Sequence, residues 1–176
     1  MPDQIEANEG LFTHWNNWPR VERALILGLK RVLSDDLVLL QDRTGERCIA
    51  HRLAAYLDRE FRGWHVDCEF NRYGAEGERV TKRVLATEAL TESREGQGSV
   101  DITPDIIVHR RRTAFNLIAI EVKPSDSRGL AKDRAKLQAY LTDNPLRYAF
   151  AALVVFKNGG TEFAPIERVI LRENVR

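Results

Sequence analysis

The stretch from Pro104 to Lys123, PDIIVHRRRTAFNLIAIEVK, narrows the possible folds more than any other part of the chain. It reads as two strands joined by a short basic turn, His109-Arg110-Arg111-Arg112. From Phe115 to Lys123 the second strand alternates with period two, so Leu117, Ala119, Glu121 and Lys123 share one face. Asn116, Ile118, Ile120 and Val122 share the other. An acid and a base therefore end side by side on an otherwise apolar strand. Asp105 opens the neighbouring strand, Ile106-Ile107-Val108, directly after a proline that a strand tolerates at its first residue. Paired as a hairpin, the two strands set Asp105 across from Glu121.

Helices and strands alternate around this hairpin. Residues 1–19 are polar apart from Leu11, Phe12, Trp15 and Trp18. These four favour docking on the chain's own core over a subunit contact, because exposed aromatic clusters are uncommon on monomers. Pro19 suits a helix start, and Val21, Leu25, Leu29, Val32 and Leu33 then recur at helical spacing. Leu37 to Leu40 is apolar but too short to type. A second helix is expected over Gly45–Phe61, with Thr44 as N-cap and a stripe of Ile49, Ala50, Leu53, Leu57 and Phe61. Gly63 closes it, and Trp64, Val66, Cys68 and Phe70 alternate as a half-buried strand.

Residues 71–98 form a charged, glycine-bracketed excursion of a length that is usually functional or disordered. After Lys123, Pro124 to Ser127 is turn chemistry. A third helix is expected from about Gly129 to Thr142, with Leu130, Arg134, Leu137 and Leu141 on one stripe. Lys132, Lys136 and Tyr140 make a second row, and Asn144-Pro145 stops the helix. Tyr148–Phe156 is the continuous apolar run of a strand buried on both faces. Asn158-Gly159-Gly160 is a turn leading to an edge strand, Phe163–Leu171. The order predicts an α/β sandwich with a central mixed sheet. No glycine-rich loop precedes a helix, which excludes a doubly wound nucleotide-binding fold.

With 176 residues, 43% apolar and 30% charged, the chain is expected to be one globular domain, 1–176. Its net charge of +1 excludes no class of partner. No apolar run approaches a membrane span and no signal-like segment follows the polar start, so the expected location is the cytoplasm. Cys48 and Cys68 lack metal-ligand spacing and read as buried free thiols.

Two carboxylates a few ångströms apart need a proton or a cation. Oxygen ligands from Asp105 and Glu121 suit magnesium, which takes one or two carboxylates and fills its shell with water and phosphate oxygens. The Val122 backbone carbonyl is placed to add a neutral ligand. A metal-activated water is a nucleophile near neutral pH, and Lys123 stands where it positions or deprotonates that water or offsets transition-state charge. Glu46 begins the buried stripe of its helix and is a candidate for a second ion or its water, although a carboxylate at a helix N-terminus also has a purely structural use. His51 falls off the stripe, and His109 lies too far along its strand from Asp105 to be a ligand. A surface ion pair between Glu121 and Lys123 is the plain alternative, but an apolar strand in mid-sheet is an expensive place for one.

The pattern PD-x15-E-V-K with a glutamate on an upstream helix resembles the PD-(D/E)xK nuclease superfamily, over roughly Glu46 to Phe156. The resemblance implies a restriction-endonuclease-like α/β/α sandwich. It implies metal-binding acids at Asp105 and Glu121, a catalytic lysine at Lys123 and a helix carboxylate at Glu46. It further implies a magnesium- or manganese-dependent nuclease that leaves 5′-phosphates, with DNA the expected substrate. Exonuclease members place a glutamine and a tyrosine four apart, whereas Gln138 and Tyr140 are two apart, so that subgroup is not carried over. Arg128, Lys132, Lys136 and Tyr140 are the expected nucleic-acid contacts, because their helix begins just after Lys123. The tip arginines read instead as a solvated turn. Cutting both strands of a duplex suggests a homodimer. The rival is an inactive nucleic-acid- or protein-binding member of the same fold.

Overall fold

The computed structural model describes residues 2–70, 72–73, 80–81, 83–85, 99–101, 103–124, 130–142, 147–156 and 168–171. The leader is helical, α1 (Pro2–Trp15), and docks on the chain's own core. Trp15 packs against Phe61, and Phe12 lies between Trp64 and Phe115. Asn17 caps the next helix, α2 (Trp18–Asp35), by accepting from the Arg20 N–H, and a proline occupies its first turn. Its stripe, Val21, Leu25, Leu29, Val32 and Leu33, is buried as the spacing predicts. Leu37–Gln41 is a single short helix, α3, in which only Leu40 is buried.

Helix α4 (Glu46–Glu60) starts one residue later than expected. Gly45 is its N-cap and has no side chain to cap with, while the hydroxyl of Thr44, the expected cap, donates instead to the Leu39 carbonyl. Its apolar face lies on α2. At the crossing Gly28 comes so near that a Cβ there would sit 2.5 Å from Leu57 Cδ2. Cys48 is exposed, which corrects the expected buried thiol, since it lies about 100° round the helix from Ile49. Cys68 is half-buried, and burial pushes its thiol pKa up to about 11.

Chain order continues with β1 (His65–Cys68) and two small antiparallel ladders that begin inside the expected excursion, the second closing just after it. These are β2 (Arg72–Tyr73) with β3 (Val80–Thr81), and β4 (Arg83–Leu85) with β5 (Ser99–Asp101). Then come β6 (Ile106–His109), β7 (Asn116–Pro124), helix α5 (Leu130–Thr142), β8 (Phe150–Phe156) and β9 (Arg168–Leu171). The main sheet has the order β1-β6-β7-β8-β9. It is mixed: β7 and β8 run parallel, and the other neighbours are antiparallel. Pro124, expected to begin a turn, instead continues β7 opposite Phe156. Arg128, the rest of that turn, the 158–160 turn and the first part of the expected edge strand lie outside the described residues.

The sheet separates two apolar clusters. One joins Ile118, Ile120 and Val122 to α2 and α4, and the other joins Ala119, Leu153 and Ile107 to Leu137, Tyr140 and Leu141 of α5. The period-two division of β7 holds from Ile118 onward. Leu117 departs from it and packs on the α2–α4 side. The cause is a register shift between Val108 and His109, opposite which β7 carries one extra residue. Among the described residues no helix is long and apolar enough to cross a membrane.

Candidate functional site

The register Ile106↔Ile120, continued one step, sets Asp105 opposite Glu121 just beyond the end of β6. Asp105 turns its carboxylate to the freed backbone of β7, where Oδ2 accepts from the Val122 N–H at 2.7 Å. In an antiparallel ladder a residue's N–H and C=O leave by the same edge, so the Val122 carbonyl is on Asp105's side as well. Glu121, one residue back, is fully buried in mid-sheet.

Three helical side chains reach these strands. Glu46, in the first turn of α4, accepts from Lys123 Nζ at 2.5 Å. From α5, Asp133 Oδ2 lies 3.6 Å from Lys123 Nζ. Lys136 Nζ, also on α5, is 3.3 Å from Glu121 Oε2 and 3.3 Å from Asp133 Oδ1. The chain Glu46–Lys123–Asp133–Lys136–Glu121 thus runs unbroken, and Asp105 feels Glu46, Lys123 and Lys136 through space. Four carboxylates face two ammonium groups.

The electrostatics follow from burial. Desolvation pushes Glu121 well above the usual carboxylate range, Asp105 adds to that, and Lys136 opposes it. Asp105 is also raised, chiefly by burial, with the Val122 N–H working against it. For Lys123, burial disfavours the charge, but Glu46, Asp133 and Asp105 more than offset it and the pKa rises. Lys136 is raised in the same way by Glu121 and Asp133. Both lysines are therefore ammonium ions at neutral pH.

Three of the four buried side-chain polar atoms without a hydrogen-bond partner among the described residues belong to this site: Glu121 Oε1, Asp133 Oδ2 and Tyr140 Oη. Such atoms are costly unless something completes them. Among the described residues no three His, Cys, Asp or Glu side chains converge into a ready-made metal cage. What the site offers is two acids on adjoining strands, an all-oxygen set of the size magnesium accepts while keeping its waters.

All four expected catalytic positions, Glu46, Asp105, Glu121 and Lys123, are gathered here. The expected nucleic-acid row is divided. Lys132 is exposed, and Lys136 points into the acid cluster. Tyr140 belongs to the α5-side core at 0% exposure, so its ring offers no surface to a ligand outside. Arg134 is exposed and not part of the buried stripe, which is Asp133, Leu137, Tyr140 and Leu141. Asp133 is the residue that sequence reasoning missed. Its signal was position, i−4 and i−7 to Leu137 and Tyr140.

The basic tip is at the other end of β6. Arg110 donates to Asn8 Oδ1 at 3.0 Å and to the Gly63 carbonyl, tying α1 to the sheet. Arg111 grips both oxygens of Asp67, and buried His109 Nε2 lies 2.8 Å from the same carboxylate. Arg110 is half-buried, whereas Arg111 and Arg112 remain exposed as the solvated-turn reading expects, Arg111 while paired to Asp67. No family model, curated protein or solved structure matches this chain.

Proposed function

We propose that this chain is a divalent-metal-dependent nuclease of PD-(D/E)xK type, built on a restriction-endonuclease-like sandwich and acting on DNA. The observation that carries the reading is the charge imbalance around Glu121. Four carboxylates share two ammonium groups, and the most buried of the four keeps an oxygen without a partner. One divalent cation held by Asp105, Glu121 and the Val122 carbonyl balances that deficit. When bound, such an ion supplies Lewis-acid polarisation of the scissile phosphate and a water acidic enough to attack at neutral pH.

The chain's own residues do the rest. Lys123 holds its proton at Nζ, because Glu46 and Asp133 keep it charged. It therefore stabilises negative charge on the reacting phosphate and does not act as a general base. Glu46 fixes the position of that ammonium from the start of α4. The buried sheet end excludes bulk water, which strengthens each of these charges. Lys132, exposed on α5, and Arg128 are the remaining candidates for contacts to flanking phosphates. A homodimer gives one such site per strand of a duplex.

The test is incubation of supercoiled plasmid with magnesium, manganese or calcium. Nicking or linearisation is expected with the first two and binding without cleavage with calcium. Asp105→Ala and Lys123→Ala abolish cutting. Wild-type protein that leaves every single- and double-stranded DNA and RNA intact in manganese would make the chain a binding protein instead.

A further inference from the structure

The two lysines of the site are not equivalent. Lys123 is clamped between two helices, 2.5 Å from Glu46 of α4 and 3.6 Å from Asp133 of α5. Lys136 is shared evenly, 3.3 Å from Glu121 and 3.3 Å from Asp133. Its second acceptor lies one turn away on its own helix, so it can leave Glu121 and still keep a partner. Glu121 is fully buried and has one oxygen without a partner among the described residues, and the Tyr140 hydroxyl, whose pKa the Glu121 charge helps to raise, has none there either. Lys136 thus meets only part of what Glu121 requires.

We propose that Lys136 is a tethered cation: it stands at Glu121 in the metal-free protein and withdraws to Asp133 when a divalent ion binds. This rests on the cation-dependent reading above. An ammonium and a divalent ion on the same buried carboxylate repel strongly at a few ångströms, so the two compete for Glu121. Asp133 gives the displaced charge a buried partner, and is a positioning residue for both lysines. The arrangement makes the metal-free site self-neutralising in part, and sets the ion's affinity by what Lys136 must give up.

Isothermal titration with manganese alone, without nucleic acid, tests this. Lys136→Met is expected to bind manganese about tenfold tighter than wild type, a modest share of what a unit charge exerts at that range in partly buried surroundings. Arg134→Met makes the same charge change on the exposed face of α5 and should stay within about twofold, because solvent and salt screen it. Lys136→Gln serves as the second variant should the methionine protein fail to fold, and the same ordering is expected of it. Tighter binding by the Lys136 variants than by Arg134→Met supports the proposal, including the case in which wild type shows no heat and they do. If wild type binds manganese and the Lys136 variants match Arg134→Met, the tethered-cation idea is wrong and the nuclease reading stands. If none of them binds at millimolar manganese, both fall together.

Discussion

Lys123 Nζ and Glu46 Oε1 lie 2.5 Å apart although 77 residues separate them in the chain. The contact joins the end of the central strand β7 to the start of α4, and so brings the sheet's acid pair under a helix N-terminus. Lys123→Met strips a counter-ion from Glu46 and Asp133 together. We expect it to lower the stability of the metal-free protein by about 1–3 kcal/mol, the usual cost of leaving a charged acceptor unmet, because Glu46 loses its lysine and buried Asp133 keeps only Lys136. Denaturant unfolding of the variant without metal checks this. An unchanged midpoint and slope would mean that the pair carries no structural load.

Gly28 of α2 lies close against Leu57 and Leu53 of α4. A methyl group there meets Leu57 Cδ2, so the Leu57 side chain, fully buried between the helices, must shift. Gly28→Ala should therefore destabilise the fold by about 1–3 kcal/mol despite the better helix propensity of alanine. For a chain of this size that is a fall of several degrees in Tm, readable by scanning calorimetry. A rise in Tm would show that the crossing has slack.

Much of this was legible in the amino-acid pattern. The spacing of Val21, Leu25, Leu29 and Val32 and that of Ile49, Leu53 and Leu57 leave one reading each, and both helices bury those faces. Alternation along β7 put Glu121 and Lys123 on one face, and Glu46 at the head of an inward stripe pointed to the same corner. Other features depend on tertiary context. Leu117 changes side because of an extra residue in the ladder, which no alternation rule contains. On α5, rows one residue apart differ by only about 100°, so a stripe through Arg134 and one through Asp133 looked alike. The buried aspartate was passed over because isolated buried acids are rare, and its two lysine partners lie within the site itself.

Asp67 provides a pH signature remote from the acid cluster. Burial raises its pKa, but Arg111 and then His109 outweigh burial, and the net shift is downward. A lowered acid stabilises the fold above its unfolded value, near 3.8, and that stability is lost as pH falls through the folded value. Asp67→Asn should thus cost about 1.5–3 kcal/mol at neutral pH, with the gap to wild type closing below about pH 4. Paired urea titrations from pH 3 to 7 measure it. A gap that persists unchanged at pH 3 would assign the loss to packing.

The thiols differ in reach. Cys48 is exposed on α4, whereas Cys68 is half-buried with its pKa raised to about 11 by burial and neighbouring acids. One thiol per chain should react quickly with an aromatic disulfide reagent at pH 7.5, and the second only slowly or after unfolding. Cys48→Ser should remove the fast phase, and its survival would reverse the assignment.

The central claim is that Asp105 and Glu121 grip one divalent cation at the mouth of β6 and β7. Manganese-soaked crystals measured at the manganese absorption edge address it directly. The account predicts one anomalous peak within about 2.5 Å of oxygens from both Asp105 and Glu121. Absence of a peak between them, with both side chains ordered and manganese in excess, contradicts it.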